Sequence, residues 1–257
     1  MPEFCSADRD GHVFTITLER PKVLNALHPP ANHELDALWN EFEADPELWV
    51  AIVTGAGDRA FCAGNDLKFQ ASGARIDMPP SGFGGITARY DIVKPTIAAV
   101  NGLAMGGGFE IALACDLIVA ADSAVFALPE PRVGLAAVFG GVHRLPRQIG
   151  TKQAMGMLLT GRRVSADEGQ RLGFVNEVTP AGDVLAAARR WADQISECAP
   201  VSVRATKQAA LCGLDAPSLR EAAEGRYDQL HAMLKSDDFL EGPRAFAAKR
   251  KPEWKGR

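Results

Sequence analysis

The stretch GLAMGGGFEIALACD, residues 102–116, combines two features that a helix normally avoids. Three consecutive glycines, residues 106–108, open a segment that is otherwise apolar, and Glu110 follows almost at once. A glycine in a helix interior costs about 1 kcal/mol relative to alanine, and a buried carboxylate without a partner costs more. Both costs within five positions indicate that this segment does more than fill a core.

The glycines fit no common nucleotide-binding motif. A GxGxxG fingerprint that starts at Gly106 needs glycine where Ile111 stands, and a P-loop needs lysine where Phe109 stands. Glycines also let a ligand approach the backbone, and a helix N-terminus offers free N–H donors that stabilise a developing oxyanion. The alternative is close packing of the helix against a strand. The segment FCAGND supplies a second turn, residues 63–65, that favours a two-donor oxyanion hole.

Composition and charge narrow the class of protein. The chain has 257 residues, 47% hydrophobic, and a net charge of −4, which gives no reason to expect a nucleic-acid partner. Its five cysteines are scattered without a CxxC pair, so neither a disulfide framework nor a zinc site is indicated. No signal peptide and no run of about 20 apolar residues is visible. We therefore expect a cytoplasmic protein without a membrane partner.

The hydrophobic pattern predicts an α/β core followed by helices. Strands are expected at HVFTITLER, LWVAIVTGAG and KPTIAAVNG and in two short pieces of LIVAADSAVFALPE, with an amphipathic helix at ANHELDALWNEFEAD. Residues 69–90 are expected to be irregular or partly helical. Later helices are predicted at residues 140–159, 165–172, 181–198, 201–212 and 219–234. We place a core domain at 1–198 and a C-terminal helical region at 199–257.

Five segments in order along the whole chain resemble the enoyl-CoA hydratase/isomerase (crotonase) family: ERPKVLNAL, AFCAGNDLK, KPTIAAVNGLAMGGGFEIALACD, FALPEPRVGL and FLEGPRAFAAKRKPEWKG. Within it, GNDLK, GGFGGIT, FALPE and TGRR are most similar to carnitinyl-CoA dehydratase-like hydratases. The resemblance implies a crotonase-like spiral of ββα units with a C-terminal helical trimerisation region. It also implies a homotrimer, or a hexamer made of two trimers.

The resemblance further implies which residues form the site. The backbone N–H groups of Asn65 and Gly107 would hold an acyl-CoA thioester oxygen, and Glu110 and Glu130 would be the catalytic carboxyls. Coenzyme A would be part of the substrate, with no separate cofactor and no metal. The substrate- and CoA-binding positions implied are Lys22, Leu24, Ala26, Ala63, Asp66, Leu67, Lys68 and, from a neighbouring subunit, Phe246 and Lys249.

Two carboxyls beside an oxyanion hole suit the addition of water to a 2-enoyl-CoA thioester. The reaction needs a base for the water, an acid for the α-carbon and donors for the enolate oxygen. The predicted function is therefore that of an enoyl-CoA hydratase/dehydratase, a hydro-lyase. Alternatives are isomerisation, carnitinyl-CoA dehydration, hydroxyacyl-CoA cleavage, or a catalytically silent CoA-binding or RNA-binding oligomer.

Several residues admit a plainer interpretation. Glu130 could be a surface turn residue, Glu110 a helix cap or ion-pair partner, and Lys22 and Lys68 solvated surface groups. Cys62 is interpreted as a small packing residue, and His28 and His33 lack a third metal ligand. The acyl pocket is expected to be apolar, lined from residues 69–90 and 136–141 by Phe69, Met78, Phe83, Ile86, Val138 and Phe139. No acidic cage or aromatic box for a trimethylammonium group is evident.

Overall fold

A computed structural model describes residues 3–73 and 77–257. Two parallel-rich sheets carry the architecture, a large one of six strands and a small one of four. The strands are β1 Cys5–Asp10, β2 Val13–Leu18, β3 Val50–Gly55, β4 Ala60–Cys62, β5 Thr96–Val100, β6 Leu103–Met105, β7 Leu117–Ala121, β8 Val125–Ala127, β9 Val164–Ser165 and β10 Glu177–Thr179.

Eleven helices are present in the described residues. They are α1 Pro29–Ala44, α2 Leu67–Ala71, α3 Gly107–Ala114, α4 Gly141–Ile149, α5 Thr151–Thr160, α6 Ala166–Leu172, α7 Val184–Ser196, α8 Pro200–Leu214, α9 Leu219–Glu224, α10 Asp228–Leu234 and α11 Asp237–Ala247. No helix in the described ranges has the length and apolarity that a membrane crossing requires.

Strands and helices follow one another in a repeated ββα order that alternates between the two sheets. The large sheet runs β1-β2-β3-β5-β7-β10 and the small sheet β4-β6-β8-β9, with antiparallel pairing only at β1–β2 and β8–β9. Each of β3, β5 and β7 is followed by a short strand of the small sheet and then by a helix. This is the predicted α/β spiral. It brings the turns after β4 and β6 side by side, because those two strands are hydrogen-bonded neighbours.

The large sheet is covered on both faces, which explains its continuous apolar strands. All six residues of β3 are buried. Along it, Ala51 and Val53 face one core cluster with α1 and α3, while Val50 and Ile52 face a second cluster with α7. Alternate side chains of a strand point to opposite faces, so one short strand anchors both layers.

Some predicted elements have different bounds in the structure. The helix predicted at 140–159 is two helices, α4 and α5, separated by Gly150 with φ +82°. The helix predicted at 219–234 is likewise α9 and α10. In the stretch 69–90, α2 ends at Ala71 and a 3-10 turn spans Phe83–Gly85. Residues 74–76, which belong to the same predicted irregular segment, lie outside the described residues.

Candidate active site

The glycine run at the start of α3 serves both of the uses considered for it. A Cβ on Gly108 would overlap the backbone oxygen of Cys62, so this glycine lets α3 pack directly on β4. A Cβ on Gly107 would lie 2.5 Å from the Phe83 ring, and one on Gly106 would lie 2.8 Å from Glu130 Oε1. The packing interpretation is therefore right for Gly108. Gly106 and Gly107 face the candidate site.

The two glycine turns touch each other. Gly64 has φ +88°, and a Cβ there would lie 3.1 Å from the Gly107 nitrogen. The N–H groups of Asn65 and Gly107 donate to no acceptor within the described parts of the chain. Gly107 is the first residue of α3, where the positive end of the helix dipole adds to the donor. Two free amides therefore stand on adjoining turns, as an oxyanion hole requires.

A small network fixes the turn that carries Asn65. Leu27 pairs with Asn65 in a parallel bridge, and the Ala63 N–H donates to the Leu24 oxygen at 2.9 Å. The Arg20 guanidinium donates to the Ala26 oxygen and to Asp66 Oδ2, the latter at 3.2 Å. The predicted CoA-binding segments, residues 22–26 and 63–68, are thus tied together along their length.

Glu110 lies in the first turn of α3 and is only 1% exposed. Its Oε1 accepts a hydrogen bond from the Gly141 N–H at 2.9 Å, at the start of α4, while its buried Oε2 has no partner in the described residues. Burial, reinforced by the charge of Glu130, raises the pKa of Glu110 to about 7. Through this bond Glu110 caps the N-terminus of α4, so the helix-cap interpretation describes one of its oxygens and leaves Oε2 unexplained. The carboxyl can change its protonation state near neutral pH.

Glu130 begins a 3-10 turn, Glu130–Val133, that follows β8. The Glu130 side chain turns back toward Gly106, and its buried Oε2 has no partner among the described residues. Burial raises the pKa of this carboxyl as well. Glu130 is therefore not a solvated surface residue. Two carboxyls with raised pKa values and one unpaired oxygen each converge beside the free amides.

The remaining predicted residues divide by location. In the CoA-binding segments, Ala26 is buried, Leu24, Ala63 and Asp66 are half-buried, and Lys22, Leu67 and Lys68 are exposed. Phe246 and Lys249 lie on and just after α11, exposed to solvent, and their role at a neighbour's site stays a prediction.

Cys62 lies in the buried core, where burial raises the pKa of its thiol to about 12, in keeping with a packing role. His33 contacts Asp77 at 3.1 Å. Within residues 3–73 and 77–257, no group of three His, Cys, Asp or Glu side chains is arranged to hold a metal ion.

Three contacts at the site were not predicted from the sequence. The Gly141 amide that holds Glu110 comes from a different helix, Phe83 lies on Gly107, and Arg20 joins Ala26 to Asp66, the residue after Asn65. The motif ERPKVLNAL contains Arg20, yet its pairing with Asp66 joins positions 46 apart in sequence. A sequence motif identifies residues such as Arg20 but not the residues with which they pair.

An α/β spiral of ββα units that brings two carboxyls, each with one buried unpaired oxygen, near two free amides is the arrangement expected from the resemblance to the crotonase family. Residues 8–257 match the family model described as Enoyl-CoA hydratase/isomerase, and the chain belongs to that family.

The comparisons with individual proteins agree on the family and differ in reaction name. Carnitinyl-CoA dehydratase of Proteus mirabilis is 46% identical, with 96% of each chain covered, and that of Citrobacter koseri is 44% identical, with both chains fully covered. Among solved structures, an enoyl-CoA hydratase from Mycobacterium tuberculosis aligns over the full length of both proteins, with a TM-score of 0.93 and 37% identity. That of a carnitinyl-CoA hydratase from Mycobacterium avium covers 99% of each chain, with a TM-score of 0.79 and 41% identity.

Proposed function

We propose that the protein catalyses the reversible syn addition of water to a 2-enoyl-CoA thioester, as a hydro-lyase. The observation that carries the proposal is the convergence of Glu110 and Glu130, each with a buried unpaired oxygen, on the glycine run that offers the Gly107 amide. Membership in the enoyl-CoA hydratase/isomerase family supports the substrate class. Coenzyme A enters as part of the substrate.

In the proposed reaction, the two amides stabilise the enolate charge and the two carboxyls transfer the protons. The amides of Asn65 and Gly107 bind the thioester oxygen and stabilise the enolate that forms when water attacks the β-carbon. Glu110, ionised, takes the proton of the attacking water, and Glu130, protonated, delivers a proton to the α-carbon. One carboxyl must be charged and the other neutral at the start. Raised pKa values at both positions, coupled through their charges, favour a shared single proton.

Both carboxyls act from the side of the glycine run, which is why the proposed addition is syn. Isomerisation needs only one carboxyl to carry a proton between two carbons of the substrate. The presence of a second buried carboxyl therefore favours hydration over isomerisation. A silent CoA-binding scaffold would have no use for either buried carboxyl, whose burial costs stability.

Carnitinyl-CoA dehydration is a second candidate, favoured by the names of the relatives at 44–46% identity. It is the same chemistry in reverse on an acyl group that carries a trimethylammonium substituent. The two candidates differ in the acyl group alone.

The test is a panel of 2-enoyl-CoA esters, followed by the loss of the absorbance of the conjugated enone. Hydration of any ester supports the proposed reaction and excludes a silent scaffold. Isomerisation without water addition, or no turnover with the whole panel by a folded protein, contradicts it. We further propose that the active form is a homotrimer or a dimer of trimers.

A further inference from the structure

The direction of the proposed Asn65 donor is set by one peptide plane. The Gly64 oxygen accepts the Leu27 N–H at 2.8 Å, and the Asp66 N–H donates to the Leu27 oxygen at 2.8 Å. The peptide between Gly64 and Asn65 is trans, so its C=O and its N–H point in opposite directions. The bond that holds the Gly64 oxygen on Leu27 therefore turns the Asn65 N–H away from Leu27, toward the side where no described residue accepts it.

The Arg20 guanidinium ties together the residues next to this Leu27–Asn65 bridge. It donates to the oxygen of Ala26, the residue before Leu27. Through Nη1 and Nη2, both at 3.2 Å, it also donates to Oδ2 of Asp66, the residue after Asn65. A planar guanidinium can serve both acceptors at once, whereas a lysine ammonium is a compact point charge on a flexible stem. Arg20 therefore holds the two segments of the bridge in register.

The turn that leads from Arg20 to Ala26 is strained. Leu24 and Asn25 both have φ +54°, in the left-handed region that is unfavourable for residues other than glycine. The buried Asn25 side chain accepts the Arg20 N–H at 3.0 Å and donates to the Ala60 oxygen at 2.8 Å. Strained conformations persist only where the surroundings fix them. Arg20 fixes this turn twice, through its N–H and through its guanidinium.

The ion pair of Arg20 and Asp66 is largely shielded from water. The two side chains are 16% and 13% exposed, and the guanidinium lies 5.7 Å from the centroid of the Phe4 ring. A shielded pair is weakened less by solvent than a surface pair. Asp66 Oδ1 also accepts the Phe69 N–H at 3.2 Å and so caps α2. The same pair thus links the bridge to the start of α2.

We propose that Arg20 is a positioning residue: acting through Asp66 and the bridge, it fixes the direction of the Asn65 N–H at the thioester oxygen. The proposal rests on the proposed function, because that function gives the donor its oxyanion. Arg20 acts through these contacts and not on the reacting atoms. Its loss tilts the peptide that carries this N–H and weakens one of the two proposed donors, while the other donor and both carboxyls stay.

The first readout is the steady-state hydration of crotonyl-CoA. Arg20→Gln should lower kcat by about 10- to 100-fold with little change in KM, because misplacing a catalytic group by about 1 Å can cost about 10²-fold. Arg20→Lys, which keeps the charge and loses the planar fork, should lie between the parent and Arg20→Gln. Arg9→Gln, which breaks the ion pairs of Arg9 with Glu41 and Asp45 between β1 and the end of α1, is the matched control and should keep the parental kcat and KM.

The second readout measures the hydrogen bonds to the thioester and needs no turnover. Butyryl-CoA, isotopically labelled at the thioester carbonyl carbon, cannot be hydrated, and its carbonyl stretching frequency falls when donors bind the oxygen. Infrared difference spectra of the bound ester should show a lowered frequency in the parent and in Arg9→Gln, and a frequency nearer to that of the free ester in Arg20→Gln. A loss of stability alone changes the amount of folded protein and not this frequency.

A second variant covers the case in which Arg20→Gln does not fold. Asp66→Asn keeps a good N-cap for α2 but replaces the charge-assisted bond to Arg20 with a weaker one. The carbonyl frequency should move in the same direction as expected for Arg20→Gln, by a smaller amount.

A parental kcat or an unchanged carbonyl frequency in Arg20→Gln, or in Asp66→Asn where that variant replaces it, overturns the proposal. Weaker butyryl-CoA binding with an unchanged frequency also overturns it, since Arg20 would then bind coenzyme A instead. If the parent hydrates no ester but the frequency still depends on Arg20, the proposed function fails and the positioning role stands. A parent that binds butyryl-CoA without a lowered frequency overturns the positioning role whether or not it hydrates crotonyl-CoA.

Discussion

Glu110 shows how opposing effects on one side chain produce a carboxyl that exchanges its proton near neutral pH. It lies near the N-termini of two helices, in the first turn of α3 and bonded to the first amide of α4. Both termini favour a negative charge. Burial and the neighbouring Glu130 oppose that charge and dominate, since the pKa rises to about 7. The residue therefore keeps a proton below neutral pH and can release it near neutrality.

Replacing either carboxyl should stop hydration while leaving thioester binding intact. Positioned acid–base groups contribute about 10²–10⁴-fold each, and neither Glu110→Gln nor Glu130→Gln removes an amide of the proposed oxyanion hole. The double variant should be little slower than the slower single variant, because groups that act together are not additive. Rates of crotonyl-CoA hydration, with α-carbon deuteration followed in D₂O, test this. Parental hydration by either single variant would contradict the two-carboxyl mechanism.

The raised pKa of Glu110 also predicts a pH dependence of stability. From its ordinary value of 4.5 up to about 7, the unfolded chain has lost this proton while the folded chain keeps it. Relative to Glu110→Gln, the parent's free energy of unfolding should therefore fall by about 3 kcal/mol between pH 4.5 and 7 and change little above that. Urea denaturation at one fixed protein concentration measures the difference, with Glu224→Gln, an exposed position on α9, as the control. A pH-independent difference between parent and Glu110→Gln means that Glu110 titrates normally.

For single residues, the sequence predicts which positions matter at the site better than it predicts which residues contact each other. The burial of Glu110 follows from its apolar neighbours in α3, and the importance of Gly64 and Gly107 follows from two glycine turns after buried strands. The Gly141 bond to Glu110 spans 31 positions, and the Phe83–Phe139 stack spans a larger gap. Local patterns cannot predict such pairs, because they depend on how α4 and the 83–85 turn pack around α3.

At the scale of elements, two substitutions at Gly107 separate the loss of its backbone N–H from the effect of adding a side-chain carbon at the start of α3. Proline is tolerated at the first position of a helix, where it removes only an N–H that has no intrahelical partner. Both Gly107→Ala and Gly107→Pro place a carbon against the Phe83 ring, but only proline loses the donor. Loss of one oxyanion donor costs about 10²–10³-fold in turnover. We expect Gly107→Pro to fall below Gly107→Ala by that factor in kcat for crotonyl-CoA; equal values would mean that the Gly107 amide does not bind the oxyanion.

Element prediction succeeded where periodicity is strong and failed where it is weak. The fully buried β3 and β5 were predicted because both faces are apolar, and α1 because Leu35, Leu38, Trp39 and Phe42 share one face. The sequence pattern does not indicate the edge strand β1, CSADRD, because five of its six residues are exposed and polar or small. The helices α4 and α5 were joined in the prediction because a single glycine, Gly150, separates them.

At the scale of the whole molecule, the C-terminal helices leave apolar side chains uncovered. In a single chain, Leu214, Leu219 and Phe246 are 78%, 86% and 87% exposed, although such large apolar groups are normally buried. Exposed apolar surface of this kind marks protein contacts. A second and third copy of the chain are the expected partners. The same assembly would bring Phe246 and Lys249 of one subunit to the site of its neighbour.

Complementation between two inactive variants tests that arrangement. Glu110→Gln has an intact C-terminal end but lacks a carboxyl, whereas Phe246→Ser combined with Lys249→Gln keeps both carboxyls and lacks the C-terminal contacts. If each site uses the carboxyls of one subunit and the C-terminal end of another, co-expressed mixed oligomers contain some sites in which every group is intact. Crotonyl-CoA hydration by mixed oligomers, purified through two different tags, should then exceed that of either variant alone. Mixed oligomers without this gain, a fully active Phe246→Ser/Lys249→Gln protein, or a fully active monomer in sedimentation would each show that the site is complete within one chain.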